Sequence, residues 1–384
     1  MSSPYKSLFS LPEDIHYLNC AYMAPQLKSV EQVGIEALQK KNNPTQIKPI
    51  HFFEQAAVLR EQFGTLVNAS AEQCAIIPSA SYGLMNAVNN LPLNNGNEAL
   101  VVGEEFPSGY FSIERWCKAN GKNLKVLSRP EELDGVGEKW NQTILDSIDS
   151  NTAVVLMSTV HWTDGTKFML EAIGEKCRQH NAYLILDGTQ SVGALPIDVM
   201  ACYADALVCS GYKWLLGPYS IGMAYYSEKF NQGIPLEESW MNRSNAQEFS
   251  SLTNYADAYS PGAGRYNMGE FSNFNLVPML SESIRHILEW RVDTIENHNR
   301  ELAAPLFPFL HEKGFAVGEE AYRCAHLFGI QLPNHIKKEK LLANLESNRV
   351  FVSVRGEAIR ISLHLFNTAD DIQALMDVLD QPSK

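Results

Sequence analysis

Two residues between positions 184 and 226 combine a reactive side chain with a strand-end position. An apolar run at 183–186 stops at an acid, Asp187. A second run, at 206–209, is followed by Ser-Gly-Tyr-Lys, which places Lys213 just past a strand end, and a third, at 221–226, follows the turn Gly217-Pro218. Short buried strands ending in a lone carboxylate and a lone amine are the layout of an α/β active site. A buried lysine loses affinity for its proton, and the free amine can attack an aldehyde to form an imine. An acid nearby can keep a heterocyclic ring nitrogen protonated, so that the ring withdraws electrons. Each residue also has an ordinary reading: most lysines reach solvent, and an acid at a strand end often caps the next helix. Gln190 can serve that same helix or bond a ring oxygen.

Other candidates sit at other strand ends. Ser79-Ala80-Ser81 lies between a short apolar strand and a helix start, where small side chains let backbone N–H groups approach a phosphate. A plain helix cap has the same composition. Phe106 and Trp162 follow further strands, and each suits either stacking on a planar ring or ordinary core packing. Arg360 interrupts the apolar segment Ile359-Arg360-Ile361-Ser362-Leu363. Its forked guanidinium is suited to an α-carboxylate, with a salt bridge to an acid as the equal alternative. Arg243, Arg265 and Arg355 are weaker candidates for phosphate or carboxylate contacts. Asn19, Tyr22 and His161 are candidates to line a substrate pocket with Arg360, as is Asn242.

The elements that must position these residues alternate. Strand-like runs near 75–78, 99–102, 124–127, 153–157, 183–186 and 206–209 are separated by helical segments. That pattern predicts a mostly parallel sheet flanked by helices, with ligands at the C-terminal strand ends. Residues 1–25 read as an N-terminal arm, 26–275 as a large α/β domain and 276–384 as a small C-terminal α+β domain. One long helix is expected over 277–302, and long functional loops over 231–273. No repeat or low-complexity segment is present.

The chain has 384 residues, enough for a large core and two domains. Its formal charge of −13 argues against nucleic acid or an anionic membrane as partner. No secretion signal and no apolar run of about 18 residues is visible. The seven scattered cysteines show no metal-binding spacing, so the expectation is reduced thiols in a cytoplasmic protein without a metal.

Asp187-x-x-Gln190, Ser210-Gly-Tyr-Lys213, Gly217-Pro218 and Gly222, in this order, resemble the class V aminotransferase family of pyridoxal-phosphate enzymes. The segment from Arg360 through Asn367 is similar to that family's carboxylate-binding arginine segment. Glu105-Phe106-Pro107-Ser108 resembles its ring-covering strand end. The resemblance spans nearly the whole chain. It implies fold type I and pyridoxal 5′-phosphate as cofactor, with Lys213 as its Schiff-base lysine and Asp187 against the pyridine nitrogen. It further implies Gln190 at the ring hydroxyl, Phe106 and Trp162 beside the ring, and Ala80, Ser81 and Tyr212 near the phosphate. A homodimer with sites at the interface follows, with Trp240 and the segment 265–270 reaching a neighbour's cofactor.

The departures bear on the reaction. Cysteine desulfurases of the family carry a nucleophilic cysteine on a loop near the C-terminus, and residues 348–361 contain none. Trp162 replaces a frequent asparagine. Glu270 replaces a phosphate-binding threonine, so its carboxylate is expected to face Arg265 or the substrate. The resulting expectation is an aminotransferase acting at the α-amino group of a small amino acid. A C–S or other β-lyase, or an epimerase, shares the same first steps, and a non-catalytic cofactor-binding protein is the remote alternative.

Overall fold

The computed structural model describes residues 4–131 and 135–381; the first three residues of the expected arm and the last three of the chain lie outside them. A seven-stranded sheet forms the centre: β1 (Cys74–Ile77), β2 (Glu98–Val102), β3 (Asn123–Leu127), β4 (Thr152–Ser158), β5 (Tyr183–Asp187), β6 (Ala206–Ser210) and β7 (Gly222–Tyr226). Their spatial order is β1-β7-β6-β5-β4-β2-β3. β7 pairs antiparallel with both of its neighbours, whereas all the other pairings are parallel. The C-terminal ends of the other six strands therefore point to one edge.

The central strands read as unbroken apolar runs because both faces are covered. Along β4, Val155 and Met157 enter one apolar cluster and Val154 and Leu156 the other. The first cluster contains α2 (Glu54–Val67), α5 (Val136–Ser147), α6 (Leu170–Gln179) and α7 (Leu276–Trp290). The second contains α3 (Ala80–Asn89) and α4 (Pro107–Asn120). α1 (Lys28–Lys40) lies outside, against α7.

Four short antiparallel strands, β8 (Ala316–Val317), β9 (Leu327–Gln331), β10 (Ser353–Arg355) and β11 (Ala358–Ser362), make a second sheet in the order β10-β11-β9-β8. The N-terminal segment is built into this unit. His16–Tyr17 pairs with Val350–Phe351, Leu18 is buried in the apolar cluster behind the small sheet, and Asn19 bridges to Ser362.

Two expectations about helices need correction. The stretch 277–302 is not one helix: Arg291, at φ 66°, turns the chain and separates α7 from α8 (Val292–Ala303). α7 buries Val277, Leu280, Ile284 and Ile287 in the same cluster as α2 and the main sheet. α5 arises where no helix was expected, anchored by Trp140 and Ile144. Residues 231–273 do form irregular structure punctuated by short 3-10 turns. Among the described residues no helix is long and apolar enough to cross a membrane.

Two histidines are sealed inside the fold. Burial holds His326 at about 4 and His364 at about 3. Each has a ring nitrogen with no hydrogen-bond partner, Nδ1 of His326 and Nε2 of His364. Unfolding lets both take up protons below the ordinary histidine value, so stability is fully present above about pH 6.5 and falls as pH drops toward 4. For His326 alone the loss is on the order of 3 kcal/mol. Thermal unfolding followed across this window should show a steep fall in Tm, and a flat profile would contradict neutral burial of the two rings.

Candidate active site

The strand ends converge on one cavity lined by Ala80, Phe106, Ser158, Trp162, Asp187, Thr189, Gln190, Ser210, Tyr212 and Lys213. Asp187 is the last residue of β5, and the register sets it directly beside Ser158, the last residue of β4. Its Oδ1 accepts from the Thr189 backbone N–H at 2.9 Å. Burial pushes the Asp187 carboxyl above the usual range, opposed by Thr189 and by the nearby Lys213 ammonium. A cation bound against it would restore the ionised form.

Lys213 follows β6 and is 6% exposed. Burial, reinforced by Arg360 and opposed by Asp187, brings its amine down to about 8. Its Nζ lies 5.9 Å from the centroid of the Phe106 ring and 5.6 Å from that of Tyr212. The amine is thus free of its proton over a useful fraction of time near neutrality.

Phe106 is held by the acid before it. Glu105 is buried, and its Oε1 accepts from the Phe106 N–H at 2.7 Å and from the Ser158 hydroxyl, while Oε2 accepts from the Ser158 N–H at 2.7 Å. One carboxylate thereby ties the strand end carrying Phe106 to the strand end beside Asp187. The Trp162 ring meets Phe106 edge-on at 5.4 Å, and its Nε1 donates to Glu104 O at 2.7 Å. The loop carrying Trp162 turns at Gly165, φ 74°, where a Cβ would come within 1.9 Å of Leu327 O; only glycine lets this loop dock on the small sheet.

From that sheet Arg360, 1% exposed, donates through Nη1 to Trp162 O at 2.7 Å and through Nε to Ser353 Oγ at 3.1 Å. Its Nη2 is buried without a partner. Burial and then Arg355 lower its pKa to about 9. Next to the wall residue Ala80, Ser79 caps α3, accepting from Tyr82 N at 3.2 Å and exchanging a hydrogen bond with Ser81 Oγ at 2.9 Å. The N–H groups of the first helical turn have no intrahelical acceptor, so an anion is favoured there.

The expected residues divide by placement. Lys213, Asp187, Ala80, Phe106, Trp162, Gln190 and Tyr212 line the cavity. Ser81 stands one residue beyond its edge on the same helix start. Gln190 is already engaged, accepting from Trp214 Nε1 at 3.0 Å and donating to Ala21 O at 3.4 Å. Asn19 is buried with an unpartnered Oδ1, and Tyr22 is 58% exposed. His161 is fully buried; its side chain packs on Trp140 and Phe168, bonds Gly103 O and Thr163, and is absent from the cavity wall. A substrate contact by His161 is therefore not what this geometry provides.

Asn242 likewise turns to the backbone of Arg265 and Asn267. Trp240, 41% exposed, packs on Phe53 and Phe249 and lines a different cavity, with Glu270. Arg265 bonds the carbonyls of Gly262 and Gly233 and makes no ion pair with Glu270. Ser158 and Thr189 were not foreseen, and Ser210 and Glu105 were singled out only as parts of their motifs, without a role of their own; the apolar runs ending at 158 and 210 and the acid before Phe106 were the available signals. Among the described residues no cluster of His, Cys, Asp or Glu could hold a metal ion.

The profile of the class-V aminotransferases matches residues 48–375. The chain belongs to that family. Over 334 residues it is 23% identical to the uncharacterized aminotransferase YcbU of Bacillus subtilis, covering 84% of this chain and 83% of the other. A cysteine desulfurase of Enterobacter is 28% identical over 204 residues, spanning 52% of this class-V chain and 49% of that one. Among solved structures, the apo cysteine desulfurase of Thermococcus onnurineus superposes with a TM-score of 0.83 at 17% identity, over 99% and 98% of the two chains. The cystine C–S lyase C-DES, seen with its product cysteine persulfide, superposes with a TM-score of 0.82 at 17% identity, over 96% and 98%. Another C-DES structure carries glycine covalently linked to the PLP cofactor. At such identities these likenesses establish the shared fold.

In cofactor-free protein, acetylation of Lys213 followed by peptide mass spectrometry should reach half its maximal rate near pH 8, below the midpoint for exposed lysines. Arg360→Gln removes a neighbouring positive charge and should move that midpoint upward. An unchanged midpoint would show that the two groups are not electrostatically coupled.

Proposed function

We propose that this class-V protein is a pyridoxal-phosphate aminotransferase acting on the α-amino group of a small amino acid. The observation that carries the proposal is a cavity walled by the buried Lys213 and Asp187 and by Ala80 at the start of α3, with the buried Arg360 bonded to the carbonyl of its wall residue Trp162. Pyridoxal 5′-phosphate fits the donor set. Ala80 and the first turn of α3 suit its phosphate, Asp187 its protonated pyridine nitrogen, and Phe106 its ring face. Tyr212 and Ser81 would add hydroxyl contacts to that phosphate. When bound, the group supplies an aldehyde for the amine and a ring that takes up the electron pair released at the substrate Cα.

The chain's own residues supply the rest. Arg360 orients the substrate by its α-carboxylate, and its unpartnered Nη2 gives that carboxylate a second donor. Lys213, with a pKa near 8, takes the Cα proton as general base and can return it one position along. Asp187 holds the positive charge that makes proton removal feasible. Phe106 and Trp162 keep water from the reacting face.

A lyase is the second reading, favoured by the likeness to proteins named cysteine desulfurase and cystine C–S lyase. A persulfide route through this chain's thiols has no support: all seven cysteines are buried and none lines the cavity. The homodimer, with Trp240 and Glu270 facing a partner's site, and the cytoplasmic location belong to the same proposal.

Single turnover of cofactor-loaded protein with a panel of amino acids separates the readings. Pyridoxamine phosphate with an equivalent of keto acid is the expected result. Pyruvate and ammonia without pyridoxamine phosphate would establish a lyase instead, and racemised substrate an epimerase. Lys213→Ala should slow exchange of the Cα proton by about 100- to 10,000-fold, read by deuterium incorporation.

A further inference from the structure

Two guanidinium groups share one face of the β10–β11 hairpin. The register pairs Ser353 with Arg360 and Arg355 with Ala358, so period-two alternation sends Ser353, Arg355, Ala358 and Arg360 to the same side. Arg355 and Arg360 are diagonal neighbours, about 7–8 Å apart in such a ladder. Both face Trp162: Arg360 bonds its carbonyl, and the Arg355 guanidinium stands 5.5 Å from its ring centroid. Each also acts on Lys213, whose ammonium both disfavour.

Neither arginine is neutralised. Arg355 donates through Nη1 to Val354 O at 2.7 Å, its Nε is buried without a partner, and Arg360 Nη2 is in the same condition. Among the described residues neither forms an ion pair. The carboxylates of Glu104, Asp164, Glu319 and Glu357 line the groove outside Arg355, and Arg129 engages Asp164 at 2.7 Å. Glu357 is engaged by Lys338 at 2.7 Å, and the Glu104 side chain is exposed. Two like charges side by side, each with an idle donor and each against Trp162, a wall of the Lys213 cavity, are unfavourable unless anionic ligands complete them. One carboxylate is matched by one guanidinium fork, which leaves the other arginine without an anion.

We propose that the substrate is a dicarboxylic amino acid, its α-carboxylate on Arg360 and its side-chain carboxylate on Arg355. This rests on the reading that Arg360 holds the α-carboxylate, and it narrows the substrate class that reading left open. Trp162, between the two guanidiniums, forms the floor along which the connecting carbons lie.

Two measurements test it. With cofactor-loaded protein, kcat/KM for glutamate over glutamine and for aspartate over asparagine should each exceed about tenfold, and Arg355→Gln should collapse these ratios by about 10- to 100-fold. In cofactor-free protein, succinate and glutarate should raise Tm more than butyrate does at equal concentration, and Arg355→Gln should abolish the difference. Acid-to-amide ratios near one, or unchanged by Arg355→Gln, would overturn the proposal, as would equal stabilisation by mono- and dicarboxylates. The second measurement needs neither cofactor nor turnover. A failure of the aminotransferase reading would leave it standing, whereas a failure of the second-carboxylate subsite would show in it directly.

Discussion

Charge buried without a paired counter-charge is the constraint on which this structure turns. Lys213, Asp187 and Arg360 are each nearly sealed from water, and among the described residues none forms an ion pair. Isolated buried charges are expensive. Here they are tolerated because the surrounding elements are over-determined: a sheet covered on both faces, a loop docked through Gly165, and a hairpin fixed to the N-terminal segment. The consequences are a lysine near 8, an arginine near 9 and an acid pushed upward, each in the direction that a charged ligand would reverse.

That constraint explains why the two sheets meet where they do. The large sheet delivers the amine, the acid and the helix N-terminus, all at C-terminal strand ends. The small sheet delivers the two arginines, and the His161–Thr166 turn is the strap between them, with Trp162 O fixing Arg360. Glu105 has a comparable role on the other side. It turns an otherwise unsatisfied strand end into a rigid support for Phe106 and Ser158.

Much of the arrangement was legible in the sequence, for physical reasons that differ by residue. Parallel strands buried on both faces show as apolar runs, so the end of each run marked the site edge, and Asp187 and Lys213 stood out as the first charges after them. The Ser79 cap was equally readable. Arg291 was not, because a left-handed turn leaves the 3.6-residue apolar pattern of α7 and α8 almost in phase. α5 was hidden by its glycine-bounded start at Gly135 and by polar residues between its buried positions. His161 and Trp162 are adjacent in sequence, yet one side chain turns into the core and the other to the cavity, a choice made by the Gly165 turn. Arg355 could not be ranked against Arg243 and Arg265 until the hairpin register placed it beside Arg360. Trp240 sits away from Lys213 within one chain, and its expected role concerns a second copy.

The most direct measurement of the central claim is chemical mapping of the cofactor linkage. Protein supplied with pyridoxal phosphate is treated with borohydride, digested and sequenced by mass spectrometry. The expected result is a phosphopyridoxyl group on Lys213, and its loss in Lys213→Ala with the cavity otherwise intact. A reduced adduct spread over surface lysines, or none at all, would contradict it.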